Sequence, residues 1–351
     1  MTGPADIAVL GAGSWGTALA IQLSRGGQAT TLWGRAEDEP ERMAAEGSNA
    51  RYLPGVEFPQ ALKIDADLER VTQSHRDLLI VVPSHAFRLV AKQLAGPLRS
   101  HQRVAWATKG FEQDSGLLPH QVAREELGPD IPLAVLSGPT FAREVGAGLP
   151  SAMTVAATAA AFAEELALRI SDQGFRAYTS EDLTGVEVGG AVKNAIAIGA
   201  GLSDGLGYGA NTRVALICRG LVEMTRLGIQ LGAQAETFMG LSGMGDLVLT
   251  CTDDQSRNRR MGLGLAAGRS REEVAAEIGQ VVEGVYAARA VHRVAEREGV
   301  EMPIVEHVFR ILYENLSVPD AVMSLMTRSL KPEAELMLEP SPHGGVFPGE
   351  D

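Results

Sequence analysis

Asp6-Ile7-Ala8-Val9-Leu10-Gly11-Ala12-Gly13-Ser14-Trp15-Gly16 is the segment that sets the architecture of this chain. A compact apolar strand runs straight into a G-x-G-x-x-G turn. Ser14 to Arg25 then reads as a helix, with Leu19 and Leu23 at i, i+4. Gly11 permits the tight turn, Gly13 lets the backbone approach a pyrophosphate, and Gly16 allows close helix–strand packing. The helix N-terminus offers free N–H groups and the positive end of its dipole to phosphate oxygens. A bare hexapeptide of this kind also fits a plain glycine-rich turn. The strand before it and the helix after it carry the dinucleotide reading.

The same alternation continues on either side. Gln28 to Trp33, Leu78 to Val82, Arg103 to Ala107 and Leu133 to Ser137 read as strands, with helical segments near 85–95 and 117–127. Weaker strands at Ala152 to Ala156 and Phe175 to Tyr178 are expected to extend the sheet. Leu78-Leu79-Ile80-Val81-Val82 is apolar throughout, as a parallel strand covered on both faces must be. Repeated βαβ units imply a parallel sheet between two helical layers. After about residue 183 the strand signal stops. Val192 to Ala200, Thr212 to Leu227, Ala235 to Met239, Arg271 to Ile278, Val285 to Glu298 and Pro303 to Tyr313 read as helices. The expected fold is therefore an α/β Rossmann-type parallel-sheet N-terminal domain (1–183) followed by an all-α C-terminal domain (184–331). The Pro-, Gly- and Glu-rich stretch at 332–351 is expected to be a disordered tail.

Composition narrows the function. With 351 residues, 45% hydrophobic and 21% charged, the chain has ample material for two packed cores. A net charge of −13 argues against nucleic acid or an anionic membrane as the main partner. An anionic ligand would need a local basic island. Two cysteines, Cys218 and Cys251, make no disulfide framework and fit a reducing cytoplasm. Asp6 interrupts the start, so no signal peptide is expected, and the stretch nearest to a membrane span, Ser151 to Ala163, is short and mostly Ala and Thr.

Several residues carry candidate chemistry. Strand two ends in Trp33-Gly34-Arg35-Ala36, followed by Glu37 and Asp38. The planar fork of Arg35 suits a ribose 2′-phosphate, which favours NADP(H) while leaving NAD(H) open; a solvated surface arginine is the alternative. Lys193-Asn194 sits in the small-residue run Gly189 to Ala197. A lysine buried there calls for an anionic or carbonyl partner, because an unpaired buried ammonium is costly. Lys109, in Thr108-Lys109-Gly110, follows a strand and so belongs at the carboxyl edge of the sheet, where ligands bind. Gly138 and Thr140 end the next strand and offer backbone or hydroxyl donors. Asp246 and Thr250 are i, i+4 and would share one helix face, unless Asp246 is a helix N-cap. Ser256-Arg257-Asn258 pairs a charged fork with a neutral donor and fits a phosphate; a solvated charge run is the plainer alternative. The histidines show no metal-ligand spacing; His85 and His120 read as helix residues and Cys251 as structural, and no metal is expected.

Taken with Ala107-Thr108-Lys109-Gly110-Phe111-Glu112, Leu136 to Ala142, Gly190 to Asn194, Asp204 to Gly207, Asn211-Thr212-Arg213, Gly245 to Thr252 and Val282-Glu283-Gly284-Val285, these motifs resemble the bacterial NAD(P)-dependent sn-glycerol-3-phosphate dehydrogenase family over about residues 5 to 330. The resemblance implies reversible reduction of dihydroxyacetone phosphate to sn-glycerol 3-phosphate, feeding glycerophospholipid synthesis. It makes Lys193 the general acid/base. It lines the substrate site with Gly138, Thr140, Asp246, Ser256, Arg257 and Asn258, to which Asn194 and Thr250 are added, and has Lys109 bridge substrate and cofactor. It assigns cofactor contacts to Ser14, Trp15, Arg35, Lys109, Ala142, Arg257, Val281 and Glu283, with Tyr52 of Tyr52-Leu53-Pro54-Gly55 added. It also implies a homodimer. Burial would lower the pKa of Lys193 and pairing with Asp246 would raise it; the sequence leaves the two opposed. The rivals are another dehydrogenase of this architecture, such as a β-hydroxyacid or ketopantoate reductase, and a non-catalytic NADP sensor. A sensor has no need of Lys193.

Overall fold

The computed structural model describes residues 7–329; the expected disordered tail at 332–351 lies outside them. In chain order the first part holds β1 (Ile7–Leu10), α1 (Ser14–Arg25), β2 (Thr30–Trp33), α2 (Pro40–Glu46), β3 (Lys63–Asp65), α3 (Leu68–Ser74), β4 (Asp77–Ile80), α4 (Ser84–Ala95), β5 (Arg103–Trp106), α5 (Pro119–Leu127), β6 (Leu133–Ser137), α6 (Ala142–Gly146), β7 (Ser151–Ala157), α7 (Ala160–Ile170) and β8 (Phe175–Ser180). Among the described residues only helices follow: α8 (Leu183–Gly205), α9 (Ala210–Gln230), α10 (Asp246–Thr252), α11 (Arg257–Ala266), α12 (Arg271–Ile278), α13 (Glu283–Glu298), α14 (Pro303–Tyr313) and α15 (Val318–Met326).

The strands form one sheet in the order β3-β2-β1-β4-β5-β6-β7-β8. Alternate residues of β1 feed opposite layers. Ile7 and Val9 pack with Leu19, Leu79 and Ala105 on one face, and Ala8 and Leu10 with Leu78, Val104 and Trp106 on the other. Strand order reverses between β1 and β4, which places the glycine turn at the crevice where such sheets bind ligands.

The sheet is not wholly parallel. β7 runs antiparallel to β6, pairing Val135 with Ala156 and Ser137 with Thr154. A parallel return needs a crossover long enough to span the sheet, and the β6–β7 connection holds only the five-residue α6. The 11-residue α7 does provide such a crossover, and β8 is parallel to β7. β3 was not foreseen, because its Lys63–Asp65 run is a partly exposed edge strand with no apolar signature.

In the helical part, the expected Val192 to Ala200 helix is the middle of the 23-residue α8, buried continuously from Gly185 to Ser203. Small residues make this possible. A Cβ on Gly201 would lie 2.0 Å from the Arg259 carbonyl oxygen, and one on Gly262 would lie 2.1 Å from that of Ile198. α8 and α11 thus cross with their backbones in contact. α9, α10, α13 and α14 pack around the same axis through Val192, Ile196, Leu221, Leu247, Val291 and Val305. Ala235–Met239 is a 3₁₀ turn rather than an α-helix, and Leu241–Gly245 is a π turn that delivers α10. Among the described residues, no helix is long and apolar enough to cross a membrane.

Candidate active site

The glycine turn is built as its spacing demands. Gly11 has φ +127°, and a Cβ there would sit 2.3 Å from the Val81 carbonyl oxygen; one on Gly16 would sit 1.9 Å from the Gly11 carbonyl oxygen. A Cβ on Gly13 meets nothing within 4 Å, so the turn is open where a pyrophosphate would lie. α1 has no side-chain N-cap, which leaves its first N–H groups facing that space. The loop after α2 braces the turn. Asn49, buried, donates from Nδ2 to the Ala12 carbonyl oxygen and to Thr17 Oγ1, both at 2.8 Å. Ser14 Oγ donates to the Tyr52 carbonyl oxygen at 2.7 Å, so Tyr52 meets the turn through its backbone. Trp15 and Ala142, the first residue of α6, pack partly buried against the core of the same sheet face. At the end of β2, Arg35 is exposed and hydrogen-bonds Asp38, with Nε 3.2 Å from Oδ2. That carboxylate raises the guanidinium pKa.

Lys193 lies in the buried face of α8. Its Nζ donates to Asp246 Oδ1 at 2.5 Å and to Thr250 Oγ1 at 2.9 Å. The other oxygen of Asp246 takes Lys109 Nζ at 2.6 Å, and Lys109 also reaches the Gly138 carbonyl oxygen at 3.2 Å. One carboxylate is therefore shared by two ammonium groups, one from the sheet edge and one from α8. Asp246 begins α10 after Gly245 and caps nothing, so it and Thr250 share the helix face turned to Lys193. Burial pulls the Lys193 pKa down to about 8; Asp246 opposes that fall and Lys109 adds to it. Cys251 lies behind this group, and burial pushes its thiol up to about 12, out of reach of nucleophilic chemistry. Thr140 Oγ1 is 3.3 Å from the Gly138 carbonyl oxygen, which draws Thr140 to the same edge.

The Ser256-Arg257-Asn258 cluster is more committed than its sequence implied. Ser256 Oγ accepts from Arg259 N–H at 3.2 Å and caps α11. Asn258 Nδ2 donates to Asn194 Oδ1 at 2.8 Å, while its Oδ1 accepts from Gly284 N–H at 2.8 Å. Asn194 follows Lys193, so this amide chain ties the lysine's helix to α11 and α13. Arg259 is not solvated; it is buried against Asp204 at 2.7 Å. Arg257, partly buried, donates to the Val281 carbonyl oxygen at 2.8 Å and to Gln280 Oε1 at 3.3 Å. Burial lowers its pKa, against the pull of Glu283. The Glu283 carboxyl is itself pushed up to about 7 by burial, despite Arg257. Gln280 was missed in the sequence. Its Oε1 is also 3.4 Å from Ser14 Oγ, so it links the glycine turn to Arg257 across the cleft.

The geometry joins a dinucleotide turn to a buried lysine and a guarded arginine. Residues 6–163 match the family model of the NAD-dependent glycerol-3-phosphate dehydrogenase N-terminus, and residues 182–323 match that of its C-terminus. The chain belongs to the NAD-dependent glycerol-3-phosphate dehydrogenase family. It is 54% identical over 333 residues to a protein of Pseudoalteromonas translucida named glycerol-3-phosphate dehydrogenase [NAD(P)+], covering 95% of this chain and 99% of that one. It is 56% identical over 328 residues to the protein of the same name from Aeromonas salmonicida, covering 93% and 98%. A crystal structure of glycerol-3-phosphate dehydrogenase from Coxiella burnetii superposes with a TM-score of 0.89 at 48% identity, covering 92% of this chain and 99% of that one. Membership of the glycerol-3-phosphate dehydrogenase family sets aside the β-hydroxyacid and ketopantoate reductase alternatives.

Proposed function

We propose that this protein catalyses the reversible NAD(P)H-dependent reduction of dihydroxyacetone phosphate to sn-glycerol 3-phosphate, with Lys193 as general acid/base. The observation that carries this is Lys193 itself: a buried ammonium with pKa about 8, bonded to Asp246 at 2.5 Å and Thr250 at 2.9 Å. The relatives named glycerol-3-phosphate dehydrogenase [NAD(P)+] support the same reaction.

Residues 1–183 bind the dinucleotide and 184–331 the substrate in this reading. The open space at Gly13 and the uncapped start of α1 fit a pyrophosphate, with Gly11 and Gly16 shaping the turn and Ser14 and Trp15 beside it. Tyr52, Ala142, Val281 and Glu283 complete the coenzyme contacts in this reading. The bound nicotinamide coenzyme supplies the hydride. Arg35 keeps one edge of its guanidinium away from Asp38, and a 2′-phosphate would meet it there, so NADP(H) is favoured over NAD(H).

As negative charge grows on the ketone oxygen, the Lys193 ammonium stabilises it and delivers its proton. Asp246 keeps that ammonium in place, and Lys109, 2.6 Å from the other oxygen, stops the carboxylate from standing uncompensated once Lys193 is neutral. A pKa near 8 leaves both forms of Lys193 within reach, so one group serves reduction as acid and oxidation as base. Arg257 grips the remote phosphate, with Ser256, Asn258, Gly138 and Thr140 around it and Asn194 orienting Asn258. That grip holds the reacting carbon in place. The protein acts in this reading as a cytoplasmic homodimer in glycerophospholipid synthesis. Purified protein mixed with dihydroxyacetone phosphate and NADPH, then NADH, should consume reduced coenzyme, and faster with NADPH. No consumption with either would end this assignment.

A further inference from the structure

Glu187 is a buried carboxyl that the chemistry above does not use. It sits on α8 six residues before Lys193, about 9 Å along the axis and roughly 240° around it, so it cannot reach the same face. Its Oε1 accepts from Trp106 Nε1–H at 3.1 Å and from the backbone N–H of His120 at 2.9 Å. Its Oε2 lies 2.5 Å from His120 Nδ1. Trp106 is the last residue of β5, three before Lys109, and His120 lies in the first turn of α5. Burying a carboxyl costs several kcal/mol unless its oxygens are bonded, and an apolar residue would fill a helix–sheet contact at lower cost.

The two lysine-bearing elements are thus pinned twice. Asp246 joins the tips of Lys109 and Lys193, and Glu187 joins the strand that leads to Lys109 to the helix that carries Lys193. We propose that Glu187 is a positioning residue that fixes the separation of Lys109 and Lys193 across Asp246, and with it the line along which the proton reaches the substrate oxygen. The inference rests on the reading of Lys193 as proton donor. It differs from a plain packing role in what it predicts for turnover. A shift of α8 against β5 moves one ammonium relative to the other while leaving the coenzyme turn after β1 untouched.

The test compares Glu187→Gln and Glu187→Leu in the full chain, assayed well below their melting temperatures, with dihydroxyacetone phosphate and NADPH. Leucine keeps the volume but strands the Trp106 and His120 donors; glutamine keeps an acceptor for them. Expected for Glu187→Leu is a kcat loss of about tenfold or more, the effect of misplacing a proton donor. The KM for NADPH should stay near wild type, and Glu187→Gln should recover most of the kcat. A folded Glu187→Leu enzyme with unchanged kcat would overturn the proposal. So would a loss that merely tracks the fraction folded, or a glutamine variant as impaired as the leucine one. If Glu187→Leu does not fold, Trp106→Phe removes one donor and keeps an aromatic ring there, though a smaller one; a lower kcat at unchanged NADPH KM supports the proposal, and unchanged kcat rejects it. Lys193→Ala is run in parallel. Activity retained by that variant defeats the reading of Lys193, whereas activity lost there but kept in Glu187→Leu defeats only the role of Glu187.

Discussion

Replacing Asp246 with asparagine removes one negative charge from between two ammonium groups and changes the shape of the site little. Asp246 is 1% exposed, and its oxygens lie 2.5 Å from Lys193 Nζ and 2.6 Å from Lys109 Nζ. At an effective dielectric of about 20, a unit charge at that range is worth roughly 6 kcal/mol to the Lys193 ammonium. If the amide carbonyl retains half of this, the other half corresponds to about two pK units. The direction follows from the causes: burial and Lys109 lower the Lys193 pKa, and Asp246, with a smaller contribution from Cys251, holds it up to about 8. Without that carboxylate it should fall to about 6 or below. At pH 7 the protonated fraction would drop from roughly nine-tenths to roughly one-tenth, so the rate of reduction falls about tenfold and returns on acidification. The same shift has a stability side. A lysine whose folded pKa lies below its unfolded value makes folding harder under neutral conditions and progressively less so as pH rises toward about 10.5. Asp246→Asn should therefore also melt at a lower temperature than wild type at pH 7. The assay is kcat for reduction against pH. Wild type should decline above about 8, and the variant about two units earlier. An unmoved midpoint would refute the assignment of that titration to Lys193.

Arg35→Ala should raise the KM for NADPH about tenfold or more, the worth of charge-assisted hydrogen bonds, while the KM for NADH changes little. Parallel loss with both coenzymes would show that Arg35 does not read the 2′-phosphate. Gly13→Ala should fold like wild type, since a Cβ there meets nothing within 4 Å, but should bind NADPH poorly in a fluorescence titration. Gly16→Ala should lower the melting temperature instead, because its Cβ would lie 1.9 Å from the Gly11 carbonyl oxygen. Glu223 accepts from the backbone N–H groups of Ile304 and Val305, and burial pushes its carboxyl up to about 8. The folded state therefore holds that proton where the unfolded state has lost it, and stability declines as pH rises from about 4.5 toward 8. Glu223→Gln should gain melting temperature relative to wild type at pH 8 compared with pH 5; an equal difference at both would reject this.

The parts of the fold that were readable in advance rest on local rules. The β1–turn–α1 unit is legible because glycine spacing, a short apolar run and helical periodicity all lie within residues 7–25. The direction of β7 was not, since it depends on how far a five-residue helix can carry the chain. Asp246 was ambiguous between a cap and a ligand until α10 was seen to start at Asp246 itself. Lys193 could be singled out because a charge among glycines and alanines is anomalous on its own. Asn49, Glu187 and Gln280 carried no such mark. Each is an ordinary polar residue whose meaning lies in partners 37, 81 and 266 positions away. Asn258 likewise carries no sign of its partners: its Nδ2 reaches Asn194 and its Oδ1 reaches Gly284, each far away in the chain.

The central claim is that Lys193 moves the proton. Single-turnover oxidation of NADPH by dihydroxyacetone phosphate, measured for wild type and Lys193→Ala after both are saturated with coenzyme, isolates that step. Lys193→Ala should lose at least about a hundredfold in the hydride-transfer rate with NADPH affinity retained. A Lys193→Ala protein that turns over at the wild-type rate would contradict it.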